Sequence, residues 1–397
     1  MPFRRILLPR PSRSAGLDTA ARADTARIDA LTAVRGLAAW WVVLYHFLDR
    51  LPLVPGGLGH RLVDAGYVAV DLFFVLSGFV IGLNYLEPLS APRPAAVRGF
   101  LIARFARIYP LHLVMCALFL LNPIAILLFS QQAFLDSRYE VSSFLLNLVL
   151  MQNWGFTDQL AWNTPAWSIS TEAVAYLLFP LGAGVVMQLR SRRAACLAAT
   201  AALAGLALFF AAMGAHSLGA DIPRYGLVRC VLEFGAGVLL ARAHRLGGPP
   251  GQLAATLLLA GAVLLLGSFI LLRIPSFATV PAASAMAVLA LSNARAPASR
   301  LLACRPLVYL GAISYSTYMV HYFVREWIKF TLVDAGTHAA AATIAAYLAI
   351  TLVASIVLFH AVELPGQRLV RRLAGLSAAP AGSASGIRGV PRGRTAR

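Results

Sequence analysis

Two ionisable residues, Arg35 and His46, interrupt a single apolar run, LTAVRGLAAWWVVLYHF. Such residues are costly in a bilayer and tend to mark function. Their spacing corresponds to about 16 Å along a helix and lies within about 20° of a whole number of turns. Both side chains therefore leave one helix face, at two depths. A cation and a titratable imidazole on one face suit the wall of a polar pathway, and an imidazole has the chemistry of a general base near neutral pH.

Three further runs carry polar groups. GYVAVDLFFVLSGF contains Asp71, at the depth of His46 when both are counted from their helix centres. A carboxylate at that depth can orient an imidazole and stabilise its protonated form. NTPAWSISTEAVAYLLFP contains Trp167, Ser168 and Glu172, with Glu172 about one turn inside the same half. His46, Asp71 and Glu172 form the candidate catalytic group. LGAISYSTYMVHYFVREW places Ser314, Tyr318, His321 and Arg325 at i, i+4, i+7 and i+11, a polar stripe on one helix face. Gly78 lies on nearly the face of Asp71, where a missing side chain lets another helix approach closely. In VRGFLIARFARIYP, Arg98, Arg104 and Arg107 cluster; guanidinium groups pair bidentately with phosphates, so this segment suits an anionic ligand.

The elements that must position these residues are membrane helices. The 397-residue chain is 59% hydrophobic and 13% charged, where a soluble domain carries about 25% charge. So few charges cannot cover a water-facing surface. Ten apolar runs qualify as spans: 30–50, 67–86, 108–130, 167–188, 195–213, 224–241, 252–272, 277–293, 308–331 and 339–361. The apolar stretch 142–154 is short enough for a re-entrant or interfacial helix. With the N-terminus inside, 25 basic residues fall on the cytoplasmic side and 8 on the other, which predicts both termini in the cytoplasm. The predicted fold class is an all-α polytopic membrane bundle. Residues 1–29 are expected to form a cytoplasmic disordered tail, 30–365 the membrane domain and 366–397 a basic, largely disordered tail.

The net charge of +18 sits in short clusters between apolar runs, which argues for cytoplasmic loops and against nucleic-acid binding. Cys116, Cys196, Cys230 and Cys304 show no paired spacing and read as packing residues. The remaining histidines, from His60 to His360, lack metal-ligand spacing, so no metal is expected. Glu233 and Glu363 read as structural.

These motifs resemble the acyltransferase-3 family of bacterial membrane acyltransferases. Arg35 and His46 match its Arg-x10-His signature. Gly66 to Phe79, with Asp71, Ser77 and Gly78, matches its Val-Asp-x-Phe-Phe-x-x-Ser-Gly run, except that Ala69 stands where Gly is frequent. Arg104 and Arg107 match Arg-x-x-Arg; Pro165, Trp167, Ser168 and Glu172 match Pro-x-Trp-Ser-x-x-x-Glu; Gly311, Ser314, Tyr315, Tyr318 and His321 resemble the last motif. The resemblance implies acyl transfer from cytosolic acyl-CoA, often acetyl-CoA, to a hydroxyl of a saccharide or glycolipid, by an enzyme of the bacterial inner membrane without a bound cofactor. It further implies that Arg35, Arg104 and Arg107 bind the acyl-CoA. Trp167, Ser168, Ser314, Tyr315, Tyr318 and His321 would line the pathway, with His46 as base. The rival readings of the polar stripes are a glycolipid transporter, against which no paired broken helices appear, and a membrane scaffold.

Overall fold

A computed structural model describes residues 18–91, 93–129, 137–332 and 338–376. These residues are helical, with no strand among them. In chain order the helices are α1 (Asp18–His46), α2 (Leu58–Asp64), α3 (Ala69–Tyr85), α4 (Pro94–Phe119), α5 (Leu121–Phe129), α6 (Val141–Leu148), α7 (Trp167–Met187) and α8 (Arg192–Ala212). There follow α9 (Ile222–Gly247), α10 (Gln252–Leu272), α11 (Ser276–Leu291), α12 (Pro297–Leu302), α13 (Arg305–Ala312), α14 (Ser314–Leu332), α15 (Ala341–Leu358) and α16 (Leu364–Leu373). Residues 1–17 and 377–397, which hold most of the two expected tails, lie outside the described residues.

Six helical stretches are long and apolar enough to cross a membrane: Leu58–Tyr85, Pro94–Ile126, Thr164–Met187, Arg192–Ala212, Gln252–Leu272 and Ala341–Leu373. The chain is a multi-pass membrane protein. Helices α1, α9 and α14 are long as well, with 29, 26 and 19 residues. They carry Arg35, Arg229, Glu233, Arg325 and Glu326, and it is these charge-bearing helices that build the site. Lipid-like and enclosed helices separate clearly. The most apolar window of α3 is 67% buried in the protein, that of α10 only 17%. Helix α10 accordingly exposes Leu253, Leu257, Val263, Leu264 and Leu272.

Local sequence explains most boundaries. Pro94, Pro223, Pro297, Pro306 and Pro365 open helices in their first turn, where a missing N–H costs nothing. The Ser191 hydroxyl accepts from Ala194 N at 3.1 Å and caps α8. Gly248, at φ 71°, ends α9. Two expected spans are broken. The 308–331 run divides at Ile313 into α13 and α14, and the 339–361 run passes into a π-helical turn, Phe359–Glu363, before α16. The predicted span 108–130 begins at Pro94, because the arginine-rich stretch before it is helical too. The apolar segment 142–154 holds only the eight-residue α6.

Glycines set the tightest helix contacts. A Cβ built on Gly78 would lie 2.0 Å from Phe234 O, and one on Gly237 would lie 2.1 Å from Val75 O. Helices α3 and α9 therefore touch backbone to backbone, the close approach that Gly78 predicted. Helix α1 meets α13 in the same way, with Gly36 and Gly311 facing each other and Gly311 against the Thr32 carbonyl. These contacts fix α1, α3, α9 and α13–α14 as the frame of the site.

Candidate active site

His46 is the last residue of α1. Its imidazole faces α14, as the eleven-residue spacing from Arg35 requires, for Arg35 meets α13 through Nη2 on Gly311 O at 2.8 Å. His46 Nδ1 lies 3.0 Å from Val42 O and 3.1 Å from His321 Nε2. A carbonyl oxygen only accepts, so Nδ1 carries the proton and the Nε2 of the neutral ring carries the lone pair. Nε2 has no hydrogen-bond partner among the described residues. The ring borders a cavity of about 600 Å³ walled by Tyr45, Tyr67, Trp167, Tyr318, Tyr322, Arg229 and Arg325. Exposed Asp49 and Asp64 lie at its edge. Arg325 donates to the His46 carbonyl, capping the end of α1, and pairs with Glu326 and with Asp49.

Asp71 does not reach the imidazole. Both carboxylate oxygens are held by Arg229, Nε to Oδ1 at 2.6 Å and Nη2 to Oδ2 at 2.7 Å, with both side chains buried. Arg229 also donates to Leu218 O at 3.0 Å and lies over the Trp167 ring, 5.5 Å from its centroid. The expectation that Asp71 orients His46 is thus corrected: Asp71 neutralises the guanidinium that walls the cavity. The bidentate pair turns both carboxylate oxygens toward Arg229, and no hydrogen bond joins Asp71 to the His46 ring. Arg229 is one of the 8 basic residues that the topology places on the outer side. The signal was present, since Arg229 and Glu233 are charges inside an apolar run and meet the same rule that singled out Arg35.

Glu172 is likewise away from His46. It accepts from Ser77 Oγ and, at 2.6 Å, from the Tyr176 hydroxyl. Ser77 lies six residues beyond Asp71 on α3, about 9 Å farther along the helix. The expected convergence of His46, Asp71 and Glu172 at one depth therefore does not occur; Glu172 belongs to a second polar cluster.

That second cluster gathers Arg35, Arg104 and Arg107. Arg35 lies within electrostatic reach of Arg107, Glu363, Glu172 and Tyr176. Arg104 stacks on Tyr85 and Phe100, its carbon centre 5.3 and 6.0 Å from the two ring centroids. Arg107 pairs with Glu363 and sits over the Tyr315 ring. Glu363 also accepts from Ser316 at 2.7 Å, so it serves as the counter-ion of this cluster. The Nε groups of Arg35 and Arg104 are buried without an acceptor. Orphaned guanidinium donors fit an anionic ligand that supplies the missing oxygens.

Of the six residues expected to line the pathway, Trp167, Ser168, Ser314, Tyr315, Tyr318 and His321, two border the cavity. Trp167 and Tyr318 wall the cavity. The Ser168 hydroxyl is 2.9 Å from that of Tyr318, which donates to Pro165 O at 2.9 Å and clamps the start of α7 to α14. Tyr315 donates to Ile108 O at 2.6 Å. Ser314 is buried at the first position of α14, and His321 is fully buried behind His46.

An acyltransferase domain family matches residues 28–360. The chain is 31% identical to the acyltransferase MdmB of Streptomyces mycarofaciens over 392 residues, 89% of this chain and 95% of that protein. It is 25% identical to the putative peptidoglycan O-acetyltransferase YrhL of Bacillus subtilis over 325 residues, 74% of this chain and 48% of that protein. Over 92 residues it is 39% identical to protein 2 in the picA locus of Rhizobium radiobacter, which covers 22% of this chain and 41% of that protein. No solved structure matches it significantly. A match over most of the chain, carried by the helices that hold both polar clusters, establishes that this protein is an acyltransferase and belongs to the acyltransferase-3 family.

Proposed function

We propose that this acyltransferase moves an acyl group, acetyl above all, from cytosolic acyl-CoA to a hydroxyl of a saccharide or glycolipid, in the cytoplasmic membrane of a bacterium. The observation that carries the reading is the bare Nε2 of His46 in the cavity, with Nδ1 already committed to Val42 O. A neutral imidazole in that tautomer is ready to take a proton. The name of the Bacillus subtilis relative supports a glycan acceptor and an acetyl group.

In this reading Arg104 and Arg35 receive the phosphates and pantetheine of the donor at the cytoplasmic mouth, with Arg107 held in place by Glu363. The donor reaches along the face of α1 toward His46, about 16 Å away. The acceptor enters the cavity from the other side of the membrane. His46 Nε2 removes the hydroxyl proton as the oxygen attacks the thioester carbonyl. The carbon–sulfur bond breaks, and the proton passes from Nε2 to the departing thiolate. Ten spans with both termini in the cytoplasm accompany this assignment, α1, α9 and α14 being spans whose charges face inward.

The test is thiol release from acetyl-CoA by the purified protein, together with mass spectrometry of surface glycans with and without the gene. An acyl group that disappears with the gene names donor and acceptor. Glycans unchanged by the deletion, with no thiol release, would remove the reading.

A further inference from the structure

The proposed base is held by a second histidine, and no carboxylate among the described residues is hydrogen-bonded to its ring. Asp71 is bound by Arg229, Glu172 by Ser77 and Tyr176, and Asp49 lies on Arg325 and Lys329. What touches the Nδ1 side of His46 is a backbone carbonyl and the ring of His321.

We propose that His321 is the positioning residue of the reaction: its Nε2 accepts the Nδ1–H of His46, in the place a carboxylate takes in a Ser-His-Asp triad. This rests on His46 being the base. The protonation pattern follows from the carbonyls at both ends of the chain. His321 Nδ1 lies 2.7 Å from Tyr318 O and 3.3 Å from Thr317 O. Carbonyls only accept, so His321 Nδ1 carries the proton and His321 Nε2 presents its lone pair to His46. The hydrogen on His46 Nδ1 is shared between Val42 O and that lone pair.

The consequence lies in the transition state. When the acceptor hydroxyl gives its proton to His46 Nε2, the ring becomes a cation and Nδ1–H a stronger donor. Hydrogen bonds from a charged donor are roughly twice as strong as neutral ones. Both acceptors on Nδ1 then bind the charged ring better than the neutral one, which is the differential that accelerates a chemical step. His321 keeps its own proton on Nδ1 throughout and neither gains nor loses one. It is fully buried and does not line the cavity that His46 borders, so it acts on the reaction through His46. A neutral imidazole suits the position because an uncompensated buried carboxylate there would be far more costly. Helix α14 supplies it with fixed geometry: Tyr318 is clamped to Pro165 three residues before, and Arg325 caps α1 four residues after.

The experiment uses membrane vesicles containing the full-length protein, radiolabelled acetyl-CoA and the glycan fraction of the expressing cells. In His321→Ala, kcat falls about 10²-fold, the usual effect of deleting one preorganised partner, while the KM for acetyl-CoA stays within about threefold. In His321→Gln the amide oxygen accepts from the same nitrogen, and kcat recovers to within about tenfold of the wild type. A merely structural role would not give this split or this rescue. The proposal is overturned if His321→Ala turns over within about twofold of the wild type, or if its loss lies wholly in KM. It is also overturned if His321→Gln is no better than His321→Ala while eluting as the wild type does in detergent. His46→Ala runs beside them. Should it retain turnover, the base assignment falls with everything built on it. An inactive His46→Ala beside a fully active His321→Ala defeats only the role of His321.

Discussion

The His46 cavity and the Arg35 cluster share four helices, with α9 added at the first and α4 at the second, yet their electrostatics are opposite in kind. Helix α1 gives His46 to one and Arg35 to the other; α3 gives Asp71 and Ser77, α7 gives Trp167 and Glu172, α14 gives His321 and Ser316. At the His46 end both arginines are matched, Arg229 by Asp71 and Arg325 by Glu326 and Asp49, while Glu233, buried beside Asp71 and Arg229, has neither oxygen in a hydrogen bond among the described residues. At the cavity wall itself stands the His46 imidazole. At the Arg35 end three guanidinium groups face two carboxylates, and two Nε–H groups have no acceptor. A site that moves a proton gains from charges already neutralised around it, and a site that holds an anion needs an excess of donors. The bundle thus carries a reacting end and an anion-holding end on shared helices.

The largest effect should come from removing that imidazole. His46→Ala is expected to lose about 10²–10⁴ in turnover, the usual worth of positioned acid–base catalysis. If the two ends are separate in function, acetyl-CoA binding to that variant stays at the wild-type affinity by direct titration. A parallel loss of donor affinity would mean that the ends are one site.

Asp71 gives the next largest effect, and of another kind. Removing one partner of a buried ion pair costs about 3–5 kcal/mol, because the other charge is left uncompensated. Asp71→Ala should lower the thermal midpoint of the purified protein markedly, and Asp71→Leu combined with Arg229→Met should restore much of it. A stable Asp71→Asn with turnover down as far as His46→Ala would return the carboxylate to the chemistry.

Sequence reached part of this and stopped for identifiable reasons. The common face of Arg35 and His46 follows from helical period alone, and the close approach at Gly78 from its missing side chain; both are local properties of one helix. The partner of Asp71 is not local. Arg229 is 158 residues away and arrives through glycine-mediated packing of α3 on α9. The depth of Glu172 was misjudged because counting from span centres treats helices as upright and equally placed, whereas α3 and α7 offset by nearly two turns bring Glu172 to Ser77. The lone pair on His46 depends on the Val42 carbonyl, and no side-chain pattern announces a carbonyl. Counting apolar runs also put the start of α4 fourteen residues late, because a helix lined with arginines is not an apolar run.

Arg104 sharpens the comparison from the anion-holding end. A hydrogen bond to a charged group contributes about 1.5–3 kcal/mol, so Arg104→Gln should raise the KM for acetyl-CoA roughly 10- to 100-fold. Little change is expected in kcat, since the residue is remote from His46. Added salt should weaken the wild type more than the variant, because screening acts on the charge that the variant lacks. A loss confined to kcat would place Arg104 with the reacting groups.

The smallest expected effect tests whether the two ends share their frame. Gly78→Ala forces a methyl group into the Phe234 carbonyl and separates α3 from α9. Overpacking of this sort costs about 1–3 kcal/mol. Gly205, in α8, has nothing within 4 Å of a built Cβ; Gly205→Ala should be neutral or stabilising by about 0.5–1 kcal/mol, as in any open helix interior. The informative quantity is how the loss in Gly78→Ala divides. Helix α3 holds Asp71 against Arg229 at one end and Ser77 against Glu172 at the other, so a displaced α3 disturbs both. Donor KM and kcat should worsen together in Gly78→Ala, unlike in His46→Ala or Arg104→Gln, where each moves alone. Were only one of them to change, α3 would be positioning a single end, and the other would owe its geometry to α1, α7 and α14.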